Sequence, residues 1–188
     1  KKYKKKEILL IGAGPSTAKH KKQIENYIKL KKIPVFMLNT QKIFNKDIIN
    51  FIIACHPLRI IADKKSYEKL NTLLITPLDQ INYKEIARYK IKNKIINIPM
   101  SVKSQTLRFK KGSSYIPKLF SSAYALTIFS ALKVKKINLI GFDGYEQSEL
   151  NEENNYIFSE FKNKFNKIVI KSLTPTKYNI DQSSLYFY

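Results

Sequence analysis

The chain contains a single cysteine, Cys55, so no intrachain disulfide can staple it. A lone thiol fits a reducing cytoplasm. No apolar run approaches the ~20 residues needed to span a bilayer, so no integral membrane segment is expected. The charged start leads directly into a strand-like segment, which leaves no signal-peptide pattern. There are only two histidines, His20 and His56, and no Cys/His cluster, so no metal site is expected. No G-x-S-x-G, P-loop or H-E-x-x-H motif occurs. Carboxylates are scarce, 14 against 35 basic residues. Asp143 and Glu146 are the only ones near a predicted strand end apart from Asp63, and no complete acid–base pair is visible.

The net charge is +21, which raises the question of a nucleic-acid partner. The basic residues are nearly all lysine, with arginine only at 59, 88 and 108. They are spread along the chain instead of clustering on one element. The abundance of Lys, Asn and Ile matches an AT-rich coding bias, so no nucleic-acid partner is expected. The first residue is Lys and residues 1–6 read as a charged linker. The expectation is one domain over residues 7–188, the C-terminal part of a longer protein.

What is present is an alternation of short apolar runs and amphipathic stretches. Residues 8–16 read ILLIGAGPS, a buried strand running into a tight turn. Strands are expected at 7–12, 33–38, 48–55, 72–76, 91–98, 136–142 and 168–172. Helices are expected at 16–31, 66–70, 120–132 and 151–165, the first because Ile24, Tyr27, Ile28 and Lys31 recur at i, i+3, i+4 and i+7. Residues 103–118 carry Gly112, Ser113 and Ser114 and read as a mobile loop. Continuously apolar strands alternating with helices imply a doubly wound, mostly parallel, Rossmann-like α/β sheet.

Ligands of such sheets bind beyond the carboxyl ends of the strands. The turn Gly12-Ala13-Gly14-Pro15-Ser16 is one such end. Gly14 lets backbone approach a ligand, Pro15 suits a first helical turn, and the helix amino terminus favours an anion. Ser16 is the expected N-cap, with its hydroxyl free for phosphate. Thr17 stands where the dinucleotide fingerprint calls for Gly or Ala, and Asn39 where that site needs an acid to hold ribose, which disfavours NAD. Asn39 offers a donor and an acceptor to a ribose or base edge, or caps a helix. His56 contacts a ligand, serves as the one acid/base candidate, or packs against Pro57. Ser121 and Ser122 cap the next helix or meet phosphate. Asp143 and Tyr145 complete the set, with capping and packing as their alternatives.

These residues carry a resemblance. ILLIGAGPS, Asn39, the Cys55-His56-Pro57 corner and the ending Gly141-Phe142-Asp143-Gly144-Tyr145 resemble bacterial sialyltransferases that use CMP-sialic acid, and the related flagellin-modifying motility-associated factors. The chain departs from the sialyltransferases in carrying His56 where they have Asn, in Ala123 after Ser122, and in having no histidine beyond the G-x-D-x-Y strand. A resemblance covering more of the chain is to the C-terminal domain of aldolase-like (hydroxymethylglutaryl-CoA lyase-like) TIM-barrel proteins of bacterial surface-glycan clusters. Residues 11–16 with the Lys-rich helix after them, Asn39, and the tail Ser172-Leu173-Thr174-Pro175-Thr176-Lys177-Tyr178 with Ser184-Leu185-Tyr186 carry it. Together they imply a cytoplasmic domain that binds a nucleotide or a CMP-type nucleotide-sugar and needs no other cofactor. Its partner would be an upstream aldolase-like barrel in the same chain. The alternatives are a sialyltransferase-like glycosyltransferase using a CMP-activated nonulosonic acid, and an assembly domain that binds no nucleotide.

Overall fold

A computed structural model of the chain describes residues 4, 6–41, 43–70, 72–80 and 94–186. Eight strands form one entirely parallel sheet: β1 (Glu7–Ile11), β2 (Val35–Leu38), β3 (Phe51–Ile53), β4 (Leu73–Thr76), β5 (Ile95–Asn97), β9 (Lys136–Ile140), β10 (Val169–Ser172) and β11 (Asp181–Gln182). Their spatial order is β11-β10-β9-β1-β2-β3-β4-β5. The helices are α1 (Pro15–Lys19), α2 (Lys21–Lys31), α3 (Pro57–Ala62), α4 (Lys64–Leu70), α5 (Ser121–Leu132) and α6 (Ser148–Lys164). The expected doubly wound, Rossmann-like α/β fold is therefore present.

The continuous apolar strands explain why both faces are covered. In β1 and β2 alternate side chains point to opposite faces. Ile8, Leu10 and Phe36 join a core with α5 and α6. Leu9, Ile11 and Met37 join a second core with Ile24, Tyr27 and Ile28 of α2. A strand buried on both sides has no polar face to alternate with.

Three sequence expectations are corrected. Residues 16–31 are two helices, broken at His20 (φ −107°, ψ 23°), and the N-cap is Gly14 with Pro15 at the first helical position. Helix α3 begins at Pro57, next to the expected strand end. Residues 103–118 are not a loop: β7 (Arg108–Lys110) and β8 (Ser113–Ile116) form an antiparallel hairpin that pairs with β6 (Met100–Val102) in a second, three-stranded sheet. Lys111 and Gly112 both have positive φ, 50° and 77°, as a two-residue hairpin turn requires. Ser114 is buried there and shares a hydrogen bond with Thr127 of α5. The fifth strand covers only 95–97 of the expected 91–98; residues 91–93, like most of the linker at 1–6, lie outside the described residues.

The two central strands are also joined at their amino-terminal ends by a polar network. The Glu7 carboxylate accepts hydrogen bonds from Lys136 Nζ (2.8 Å) and Asn138 Nδ2 (2.6 Å), and Asn138 Nδ2 also donates to the Tyr27 hydroxyl (3.1 Å). Partial burial by itself raises the Glu7 carboxyl. The hydrogen bonds from Lys136 and Asn138, with the Lys136 and Lys31 charges, outweigh it and hold the group below its ordinary 4.5. A depressed carboxyl contributes stability above its unfolded value that is lost as pH falls through the folded one. Glu7→Gln is therefore expected to lower the melting temperature at neutral pH and to flatten its decline below pH ~4.5. Circular-dichroism melts from pH 3 to 7 would show parallel curves for the two proteins if Glu7 were uncoupled from folding.

Candidate functional site

The chain runs outward from β1 through β2 to β5, then returns to β9 on the other side of β1. The carboxyl ends of β1 and β9 are thus the point where strand order reverses, where such sheets hold ligands. Each strand is followed by a glycine, Gly12 and Gly141. Gly12 N–H donates to Ile140 O (2.7 Å) and Gly14 N–H to Gly141 O (2.9 Å). Thr17 Oγ1 donates to Gly12 O at 3.0 Å. Gly141 has φ +72°, and a Cβ there would lie 1.9 Å from Thr17 Oγ1, so the residue is dictated by both conformation and space.

Asp143 decides what this turn can do. Its Oδ2 accepts the Ser16 hydroxyl at 2.8 Å and its Oδ1 accepts the Ser16 N–H at 3.3 Å. A Cβ on Gly14 would lie 1.9 Å from Asp143 Oδ2. Gly14 is therefore small to admit the protein's own carboxylate. The negative charge at the amino terminus of α1, favourable on dipole grounds, comes from within the chain. Ser16 is buried and faces Asp143.

A cleft of about 420 Å³ opens beside this contact. Of the sequence-derived residues, Gly12, Ala13, Gly14, Pro15, Asn39, His56, Ser121, Ser122, Asp143 and Tyr145 line it, and Ser16 does not. Asn39 is no helix cap: it ends β2 with φ 55°, and its Oδ1 faces the Ser121 hydroxyl at 3.5 Å. Its side-chain nitrogen has no partner among the described residues. His56 is exposed and is the N-cap residue of α3. Cys55 lies behind it, 3.6 Å from Ser121 Oγ. Burial pushes the Cys55 thiol up to about 11, only partly offset by the Ser121 contact, so it stays protonated and is no nucleophile near neutral pH.

The remaining polar features are not proposed as site residues from the sequence. Arg59 lines the cleft one helical turn after His56. Pro57 at the first position of α3 was the available signal for a helix that would bring the two together. Asn154 of α6 accepts the Ser122 hydroxyl at 2.9 Å, which only the fold reveals. Tyr178 reaches the cleft from the tail, which is tied to the Asp143 turn by Lys177 N–H on Asp143 O (3.1 Å) and Thr176 Oγ1 on Phe142 O (2.6 Å). Burial raises the Tyr178 and Tyr145 phenols above their ordinary value, with Arg59 opposing the shift at Tyr145.

Helix α5 presents a second amino terminus. It starts at Ser121 after Phe120, its N-cap residue offers no side-chain hydrogen bond and its first turn holds no acid, and no side chain among the described residues accepts its first N–H groups. As in any helix the first backbone N–H groups have no helical acceptor, and the Ser121 and Ser122 hydroxyls donate away from them, to Asn39 and Asn154. Phe120, Ser121 and Ser122 all line the cleft. The arrangement offers backbone donors, one guanidinium, one imidazole and one amide to an anionic ligand. Among the described residues no group of three or more His, Cys, Asp or Glu could hold a metal. The sequence matches no protein-family model and no curated protein.

Two substitutions separate the roles. Gly14→Ala is expected to destabilise the fold by about 1–3 kcal/mol through overpacking against Asp143. Asp143→Ala is expected to cost about 1–2 kcal/mol, the scale of a lost helix cap. Asp143→Asn, which keeps an acceptor oxygen, should cost less. Urea unfolding that left all three variants at wild-type stability would show that the carboxylate does not hold the turn.

Proposed function

We propose that the cleft binds a nucleotide or a nucleotide-activated sugar. The observation that carries this reading is the convergence, at the switch point of a doubly wound sheet, of the uncapped α5 terminus, the His56–Arg59 pair and Asn39 around one space. Its volume falls within the ~300–1,000 Å³ of small-ligand sites. The phosphate belongs at α5 and Arg59, because Asp143 already fills the terminus of α1. A guanidinium and free helical N–H groups are the usual phosphate donors. Asn39 would take a ribose hydroxyl or a base edge, and the rings of Phe120 and Tyr145, 6.3 Å apart, would flank the sugar or base. In keeping with the resemblance carried by the glycine turn and the tail, we place the domain in the cytoplasm, as the C-terminal partner of an aldolase-like barrel in surface-glycan biosynthesis.

A second reading, transfer of a CMP-activated nonulosonic acid, is favoured by one observation: His56, a potential base, lines the cleft. Hydrolysis or transfer that is abolished in His56→Ala while CMP still binds would support it.

Titration calorimetry against CMP, CDP, UDP and GDP tests the main reading. At least one should bind, and Arg59→Ala and Asn39→Ala should each weaken it about fivefold or more, the effect of losing a hydrogen bond worth about 1 kcal/mol. Ser16→Ala should leave affinity unchanged while lowering the melting temperature. Absence of binding by all four at millimolar concentration would refute the proposal.

A further inference from the structure

Lysine accounts for 32 of the 188 residues, yet none of the 19 residues lining the cleft is a lysine. The opposite pole of the sheet, at the amino-terminal ends of the strands, is different. Lys135 N–H donates to Lys6 O (2.8 Å) and Val169 N–H to Lys135 O (3.1 Å), so the residues preceding β1, β9 and β10 stand in one row. Around this row lies a groove of about 850 Å³, and five of its ten lining residues are lysines. Lys133, Lys135 and Lys167 among them are exposed and form no ion pair among the described residues. Val134, Phe165 and Ile168 give it an apolar floor.

A local explanation covers part of this. Lys133 and Lys164 sit at the carboxyl ends of α5 and α6, where cations complement the helix dipole. It does not cover Lys135 or Lys167, which lie beyond those helices and lead into β9 and β10. No acid lines the groove: Glu160, 2.6 Å from Lys164, neutralises one of the five lysines, and the other acids of this pole, Glu7 and Asp181, pair with Lys136 and Lys162 outside it.

We propose that this pole docks on the surface of an anionic membrane, with lipid phosphates over the lysines. No arginine lines the groove, so it lacks the rigid fork that reads a fixed phosphate or base geometry. Phe165, packed on Phe161 with ring centroids 5.0 Å apart, is the one ring that lines the groove, where stacking of successive bases needs a row of them. Flexible ammonium groups over an apolar floor suit a fluid array of headgroups, with the lysine stems and the exposed Val169 against the interfacial region. No helix among the described residues is long and apolar enough to cross the bilayer, so the association is peripheral. It leaves the cleft, at the other end of the strands, facing away from the membrane. The inference does not depend on what the cleft binds.

Co-sedimentation with vesicles tests it. The protein should bind phosphatidylcholine vesicles containing phosphatidylglycerol, not phosphatidylcholine alone, and added salt should release it. The triple variant K133E/K135E/K167E should bind at least about 100-fold more weakly, since each lysine near an anionic surface contributes about a fivefold factor. K19E/K22E/K65E, the same charge change outside the groove, should have a far smaller effect. If the first triple variant does not fold by circular dichroism, K133Q/K135Q/K167Q replaces it, with the same direction expected. No vesicle binding, equal losses from the two triple variants, or tighter binding of a single-stranded oligonucleotide through the groove lysines would overturn the proposal.

Discussion

The site is organised by a contact between residues 127 positions apart, the Asp143 carboxylate on Ser16. It joins the turn after β1 to the turn after β9, the two strands between which the sheet reverses its order. It requires Gly14, because any side chain there would occupy the carboxylate's position. It satisfies the first turn of α1, a helix of only five residues that could not hold itself in isolation. It also settles an electrostatic question. A glycine-rich βα turn normally invites a phosphate, but here the positive end of the helix already has its negative partner. A ligand anion in the same cleft must find other donors, and α5 and Arg59 supply them.

Much of the fold was legible because buried parallel strands leave an unambiguous trace. The runs at 8–11 and 137–140 have no polar interruption except Asn138, whose amide nitrogen donates to Glu7 and Tyr27 while its Oδ1 is buried without a partner among the described residues. Where the trace was weak, the reading failed for identifiable reasons. The apolar period that suggests a helix over 16–31 lies wholly in residues 24–31, after the backbone break at His20, so it carries no mark of that break. The strands of the second sheet are three or four residues long, too short for alternation to show, and their Lys111-Gly112 turn looked like a loop. Strand β11 is two residues held by pairing with β10, and nothing local announces it.

The candidate site was legible in a different way. The rule that ligands sit beyond strand ends points to Asn39, His56, Asp143 and Tyr145, and the start of a helix to Ser121 and Ser122, without knowledge of the register. It could not say which of them face one another. Chain position suggests Asp143 as a cap for the next turn, and it instead caps a helix near the other end of the chain. Arg59 was visible only as a rare arginine until α3 placed it beside His56. The lysines show the same limit on a larger scale. Along the sequence they are scattered, and the parallel topology sorts them, because segments entering different strands arrive at one pole. Chain order hides the division between a lysine-free cleft and a lysine-rimmed groove.

The central claim is that the cleft takes its anion at α5 while Asp143 keeps the terminus of α1. Amide NMR of the labelled protein during titration with CMP or the best-bound nucleotide tests this directly, residue by residue. The account predicts the largest shifts at Ser121, Ser122, Ala123 and Asn39, with Ser16 and Thr17 little changed. Dominant shifts at Ser16 and Thr17, showing Asp143 displaced from α1, would contradict it.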